Sequence, residues 1–193
     1  MLMSIMKKWG YKPIDLGHVV DDKHRIRDKL NQASQVCDVI FTSGGASTGK
    51  EDHVSRLLKS DGHLYHWKVA MKPGRPLALA SWKKTPVIGL PGNPASVFVT
   101  FVILARPFLM GCQGAKTAKS PMVQAKAQFN RNGESREVYL RGRLIADGKT
   151  LGVEIHPNQS SGVLSSVSWG DVLVKQKIHQ DIGFNDLLDV IVY

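Results

Sequence analysis

The stretch Asp38 to Asp52, DVIFTSGGASTGKED, constrains this chain more than any other. Asp38 to Thr42 is a short, almost continuously apolar run with β-branched residues, the pattern of a strand covered on both faces in a parallel sheet. Gly44, Gly45 and Gly49 then predict a sharp turn, and Glu51 and Asp52 open a helix. Glycine lacks a Cβ and tolerates positive φ, so backbone N–H groups in such a turn come close to a ligand, and Ser43, Ser47 and Thr48 add hydroxyl donors. At the carboxyl end of a strand and beside a helix N-terminus, the loop reads as an anion site. A tight strand-to-helix turn without a ligand is the competing account. Gly44 to Lys50 also fits the P-loop spacing G-x-x-x-x-G-K. Glu51, however, stands where Ser or Thr would hold Mg²⁺ and would face the phosphates, which demotes a nucleotide hydrolase.

The 193 residues, 42% of them hydrophobic, suffice for a proper core in one large domain or two small ones. A formal charge of +10, from 26 Lys and Arg against 16 Asp and Glu, favours anionic partners. Basic residues such as Lys7, Lys8, Lys83, Lys84, Lys126, Arg136 and Arg143 are scattered rather than interleaved with aromatics, so they read as solvated surface and no nucleic acid is expected. Cys37 and Cys112 lack metal-ligand spacing and are expected to be core thiols of a cytoplasmic protein. The apolar run Val97 to Ala105 stops at Arg106-Pro107, and no membrane anchor is expected.

Leu2, Ile5, Met6 and Trp9 form an amphipathic helical stripe ending near Gly10. Tyr11 to Val20 is expected to be a strand. Asp21 or Asp22 then caps a helix whose buried face is Ile26, Leu30, Ala33 and Val36 or Cys37. After the glycine stretch, Val54, Leu57 and Leu58 point inward and Gly62 is suited to a helix C-cap. His63 to Pro76 reads with a period of two, placing Trp67, Val69 and Met71 on one face and Lys68, Ala70 and Lys72 on the other. Two lysines spaced so stand roughly 13 Å apart and suit separate parts of an extended polyanion; ordinary surface lysines are the plain alternative. Leu77 to Trp82 and Pro86 to Leu90 read as strands joined by Lys83-Lys84. In Gly89 to Ser96, GLPGNPAS, Asn93 caps and Pro94 starts a buried helix that kinks at Pro107. Gly114 to Pro121 reads as a linker. Beyond it come short alternating runs, Met122 to Phe129, Glu137 to Ala146, Leu151 to Ile155, Val172 to Lys175 and Val190 to Tyr193, which predict a small β-barrel or sandwich without helices. Ser160 to Ser166, SSGVLSS, reads as a small polar, solvent-facing turn, with contact to a ligand the alternative.

SGGASTGKED at 43 to 52, WKVAMKPGRP at 67 to 76 and GLPGNPAS at 89 to 96 together resemble the three signature stretches of the molybdopterin molybdotransferases, the MoeA type to which the C-terminal domain of gephyrin also belongs. The resemblance implies an α/β fold. Residues 1–114 would be a three-layer, MogA-like molybdopterin-binding domain lacking its first strand, and 118–193 a small all-β barrel. It implies insertion of molybdenum from molybdate into adenylyl-molybdopterin, with Mg²⁺ present and AMP released. Catalytic roles fall to Asp52, Lys68 and Lys72, with Asp52 also the metal ligand. Substrate binding falls to Ser43, Gly44, Gly45, Ser47 and Gly49 of the loop and to Pro91, Gly92, Asn93, Pro94 and Ser96. A molybdopterin adenylyltransferase would donate the substrate, and the full-length protein would be a homodimer.

The family's domain begins with a further strand and a TGDE-like acidic loop, preceded by two domains, so the expected object is a C-terminal portion. Leu188-Asp189 also stands where the family commonly has Gly-Glu. A non-catalytic molybdopterin-binding or scaffolding module is the alternative reading, against which the retained set Asp52, Lys68 and Lys72 argues.

Overall fold

A computed structural model of the chain describes residues 1–44, 53–67, 69–116, 120–147 and 150–193. Its contacts divide it into two compact units, Met1–Val69 with Pro76–Gly92, and Ala70–Arg75 with Asn93–Tyr193.

The first unit opens with α1 (Leu2–Lys8), whose apolar stripe is only half-buried. Residues 11–20 form no strand. Pro13 lacks an N–H to donate, and the Asp15 carboxylate accepts from the Gly17 N–H at 2.8 Å, folding the segment into a turn where a strand would need an unbroken ladder. Helix α2 (Lys23–Val36) starts as its sequence dictates: Asp22 accepts from the Arg25 N–H at 2.9 Å, and Ile26, Leu30 and Ala33 are buried. Val36 instead faces solvent. Strand β1 (Ile40–Ser43), α3 (His53–Ser60), β2 (His63–Trp67), β4 (Ala78–Trp82) and β5 (Thr85–Leu90) complete the unit.

Its sheet runs β1-β5-β4-β2, with β1 and β5 parallel and the other neighbours antiparallel. Lys83, at φ 55°, and Lys84 make the two-residue turn between β4 and β5. Ile26 and Leu30 of α2 and Leu57 and Leu58 of α3 pack with Ala78, Ala80, Trp82 and Val87 in one core. Trp82 Nε1 donates to Asn31 Oδ1 at 3.0 Å, satisfying the indole inside it. Gly62 is no left-handed cap. A Cβ there would lie 2.7 Å from the Ser81 carbonyl, so the glycine serves a close approach of helix to strand.

The run His63 to Pro76 is not one strand. Its second half, β3 (Met71–Lys72), pairs parallel with β7 (Glu137–Asp147) in the second unit, so the two-residue period does not carry through. That unit also holds β6 (Met122–Ala127), β8 (Thr150–Ile155), β9 (Val172–Gln176) and β10 (Leu187–Val192). The sheet order is β3-β7-β8-β6-β10-β9, and β9 pairs back onto β7, closing a five-stranded barrel to which β3 is appended. Closure leaves few free strand edges. Ala125, Ala127, Val138, Leu140, Val153, Val174 and Val190 fill the interior in alternation along their strands. One helix went unforeseen, α6 (Ser165–Trp169), within and just beyond the serine-rich turn.

Helix α4 (Pro94–Thr100) and α5 (Arg106–Cys112) are joined by a π-helical turn, Phe101–Ala105. The widening ends just before Pro107, whose ring cannot sit against the carbonyl four residues back and which offers no N–H. Pro94–Cys112 is long and apolar enough to cross a membrane, but Val99, Phe101, Val102 and Ala105 are fully buried inside the protein. Phe98 stands edge-on to Tyr193 at 4.6 Å. The cysteines depart from the sequence reading: Cys112 is exposed and Cys37 half-buried, because each stands where a helix leaves its core.

Candidate functional site

In the first unit, the parallel pairing of β1 with β5 sets Ser43 opposite Leu90. Gly44, at φ +85°, donates its N–H to the Leu90 carbonyl at 3.2 Å. A Cβ on Gly92 would come within 4.0 Å of Gly44 Cα. Ser43, Gly44, Pro91 and Gly92 are therefore gathered at the carboxyl ends of two adjacent parallel strands, the end at which open α/β sheets hold ligands. Gly45, Ser47, Gly49, Asp52 and Lys68 lie outside the described residues.

Asn93, Pro94 and Ser96 stand at the start of α4 in the second unit. Asn93 occupies the N-cap and Pro94 the first turn, yet the Asn93 side chain makes no cap bond. It donates to Ser161 Oγ at 3.0 Å, while the Ser161 carbonyl accepts from the Ala95 N–H at 3.0 Å. Ser96 is buried, and its carbonyl accepts from Thr100 Oγ1 at 2.7 Å.

Lys72 is brought to the barrel by the pairing of β3 with β7. Its Nζ donates to Glu134 Oε2 at 2.7 Å, and Glu134 Oε1 accepts from the Arg131 guanidinium at 2.5 Å. Arg131 Nε donates to Gln176 Oε1 at 3.0 Å, and the buried Gln176 amide donates to the Asn132 and Gln180 carbonyls. The Lys72 hydrogen bond, ahead of the neighbouring positive charges, holds the Glu134 carboxyl below its ordinary range. A cavity of about 300 Å³ opens beside this group, lined by Lys72, Pro73, Arg131, Val138, Leu140, Arg141, Gln159 and Ser160.

Arg141 has no functional role in the sequence reading, where Leu140 to Gly142 counts only as a weak match to the family's barrel. The arginine is only 1% exposed. Its Nε donates to Ser166 Oγ at 3.0 Å and its terminal nitrogen to the Ser160 carbonyl at 3.0 Å. The Gln159 side chain clasps the Arg141 backbone, accepting from its N–H at 3.0 Å and donating to its carbonyl at 2.9 Å. Burial lowers its pKa to about 10, which still leaves it cationic at neutral pH. Among the described residues no carboxylate pairs with it; its acceptors there are neutral oxygens. A buried charge without a counter-ion is costly unless something anionic completes its surroundings. Its sequence signal was the serine-rich turn, which supplies both Ser160 and Ser166.

The arrangement gathers three cationic residues, Lys72, Arg131 and Arg141, around a small cavity also lined by Ser160 and Gln159. Such a set suits a compact oxyanion, because a guanidinium presents a planar fork of donors and an ammonium a point charge. Among the described residues no group of three or more His, Cys, Asp or Glu is placed to hold a metal ion.

Comparison with known proteins gives these features a context. The chain is 36% identical over 117 residues to the molybdopterin molybdenumtransferase of Haemophilus influenzae, covering 61% of this chain and 29% of that protein. It is 30% identical over 177 residues to the Drosophila melanogaster molybdenum cofactor synthesis protein cinnamon, with 90% of this chain and 30% of that protein covered. To the molybdopterin molybdenumtransferase of Nostoc it is 32% identical over 180 residues, 89% of this chain and 41% of that protein. The chain thus spans well under half the length of these relatives. The molybdopterin biosynthesis MoeA protein of Pyrococcus horikoshii superposes with a TM-score of 0.80 at 24% identity, over 99% of this chain and 46% of that one. That likeness bears out the expected fold, an α/β part followed by a small barrel. Residues 1–111, more than half of the chain, match the family described as "Probable molybdopterin binding domain", and the chain belongs to that family.

Proposed function

We propose that this chain serves molybdenum cofactor biosynthesis, inserting molybdenum from molybdate into adenylyl-molybdopterin with release of AMP. The observation that carries the reading is the buried Arg141, which among the described residues pairs with no carboxylate and lines a cavity together with Lys72 and Arg131. Molybdate is a compact tetrahedral oxyanion, and this cavity gathers three cationic residues that suit its charge. The turn after β1 is assigned to the phosphate end of the pterin substrate, through Ser43 and Gly44 and, beyond the described residues, Gly45, Ser47 and Gly49. The relatives' printed names, molybdopterin molybdenumtransferase and molybdenum cofactor synthesis protein, support the same reaction.

Breaking the phosphoanhydride concentrates negative charge on the departing AMP and on the remaining phosphate. Cations and backbone donors already in place stabilise that charge without reorganising. Lys72 and Lys68 are assigned this role. Mg²⁺ belongs to the proposal, with Asp52 as its ligand. A homodimer of the full-length protein, a molybdopterin adenylyltransferase as donor, and a cytoplasmic site of action complete the proposal.

The test is molybdate-dependent AMP release from adenylyl-molybdopterin, comparing the chain with Lys72→Ala and Arg141→Gln. Release by the parent, reduced about a hundredfold or more in Arg141→Gln, is the expected result. Release that ignores molybdate, or that survives both substitutions, overturns the proposal.

A further inference from the structure

The cavity's cations are not all alike. Among the described residues the Arg141 guanidinium donates to neutral oxygens, whereas Lys72 and Arg131 share one carboxylate, that of Glu134, at 2.7 and 2.5 Å. Glu134 is not one of the cavity's lining residues, but it pairs with two that are. Its side chain is 27% exposed, so its charge is only partly screened. Three cationic lining residues and one carboxylate paired with two of them leave two net positive charges around the cavity.

We propose that Glu134 is a specificity-determining residue that trims the charge of this cavity to that of a tetrahedral dianion. Resting on the oxyanion reading above, this assigns to Glu134 a role that no substrate contact would reveal. The carboxylate holds the Lys72 ammonium and the Arg131 guanidinium in place on the cavity wall and offsets one of their charges. Tetrahedral anions therefore bind in order of charge, but not so tightly that a molybdate-sized dianion is trapped. Without Glu134 the cavity would face its ligand with one more positive charge.

Charge trimming has a numerical signature that a structural role lacks. Removing one negative charge at a fixed distance changes the binding energy in proportion to the ligand's charge. Molybdate and perrhenate have the same tetrahedral shape, but the first is a dianion and the second a monoanion. In Glu134→Gln, which removes the charge and keeps one of the two accepting oxygens, molybdate affinity should rise about tenfold and perrhenate affinity about threefold. Glu134→Asp, which keeps the charge, should hold the parent's ratio between the two anions.

The measurement is calorimetric titration of the parent, Glu134→Gln, Glu134→Asp and Arg141→Gln with molybdate and with perrhenate at one ionic strength. The larger gain for molybdate in Glu134→Gln alone supports the proposal. Equal changes for both anions, no change, or a loss in Glu134→Gln overturn it, since they are what a purely structural carboxylate gives. If the parent binds molybdate and Arg141→Gln does not, the oxyanion site stands whatever Glu134 does. No molybdate binding by the parent brings down the site and this inference together.

Discussion

Arg141 shows how a residue's chemistry can be hidden by the period of its own strand. Along β7, Val138 and Leu140 point into the barrel, so Tyr139, Arg141 and Arg143 read as an outward, solvated face. Arg143 fits that reading: it is exposed, pairs with Glu154 and lies over the Trp169 ring at 4.7 Å. Arg141 does not, because residues 158–160 and the start of α6 fold over it. Lysine cannot reach Ser166 and Ser160 from one planar fork, so Arg141→Lys should lower molybdate affinity more than tenfold, on the order of 1.4 kcal/mol, and a filter-binding assay would read it. Gly74 is constrained differently. Its φ is +106°, and an added Cβ would stand 2.3 Å from the Thr100 methyl, itself fully buried. Gly74→Ala should cost about 2 kcal/mol or more in urea denaturation. Pairing it with Thr100→Ser, which removes the methyl and keeps the hydroxyl, should recover part of that loss.

Elements were legible in the sequence where local chemistry and packing agreed. The Asp22 cap, the buried stripe of α2, the two-residue turn at Lys83-Lys84 and the five barrel strands follow from patterns a few residues long. Helix α3 is of the same kind: Leu57 and Leu58 are fully buried at adjacent positions, which anchors it on the sheet. Leu57→Ala should destabilise the protein by about 2 to 5 kcal/mol, the cost of a core cavity, seen as a lower denaturation midpoint with an unchanged slope. The failures arose where a distant partner decided. Residues 11–20 have strand-like composition, but a side-chain turn at Asp15 captures the backbone. β3 has the period of β2 yet belongs to another sheet, because its partner lies more than sixty residues on. The site divides likewise. The glycine turn and Gly92 were visible as motifs, whereas Arg131, Glu134 and Gln159 converge only through barrel closure.

For the whole molecule, the excess of positive charge governs the response to acid. Glu134, through the Lys72 hydrogen bond, and Asp61, through those of Ser60 and Arg27, titrate below their ordinary values. A carboxyl with a depressed folded pKa binds fewer protons when folded. The stability it contributes is fully present above its unfolded value, 4.5 for Glu134, and is lost as pH falls through the lower folded one. Each proton also adds to a chain already at +10. The melting temperature should therefore hold steady down to about pH 5 and then fall. Added salt should slow the fall by screening the repulsion. Glu134→Gln should be less sensitive than the parent across that window. A further consequence follows from where residues 70–75 go. The ribosome delivers Lys72 well before Glu137 and Val138, to which β3 must pair. A nascent chain stalled at residue 92 would hold most of the first unit but could not place this lysine on its cavity. The site is therefore born late, completed only when the barrel has been made.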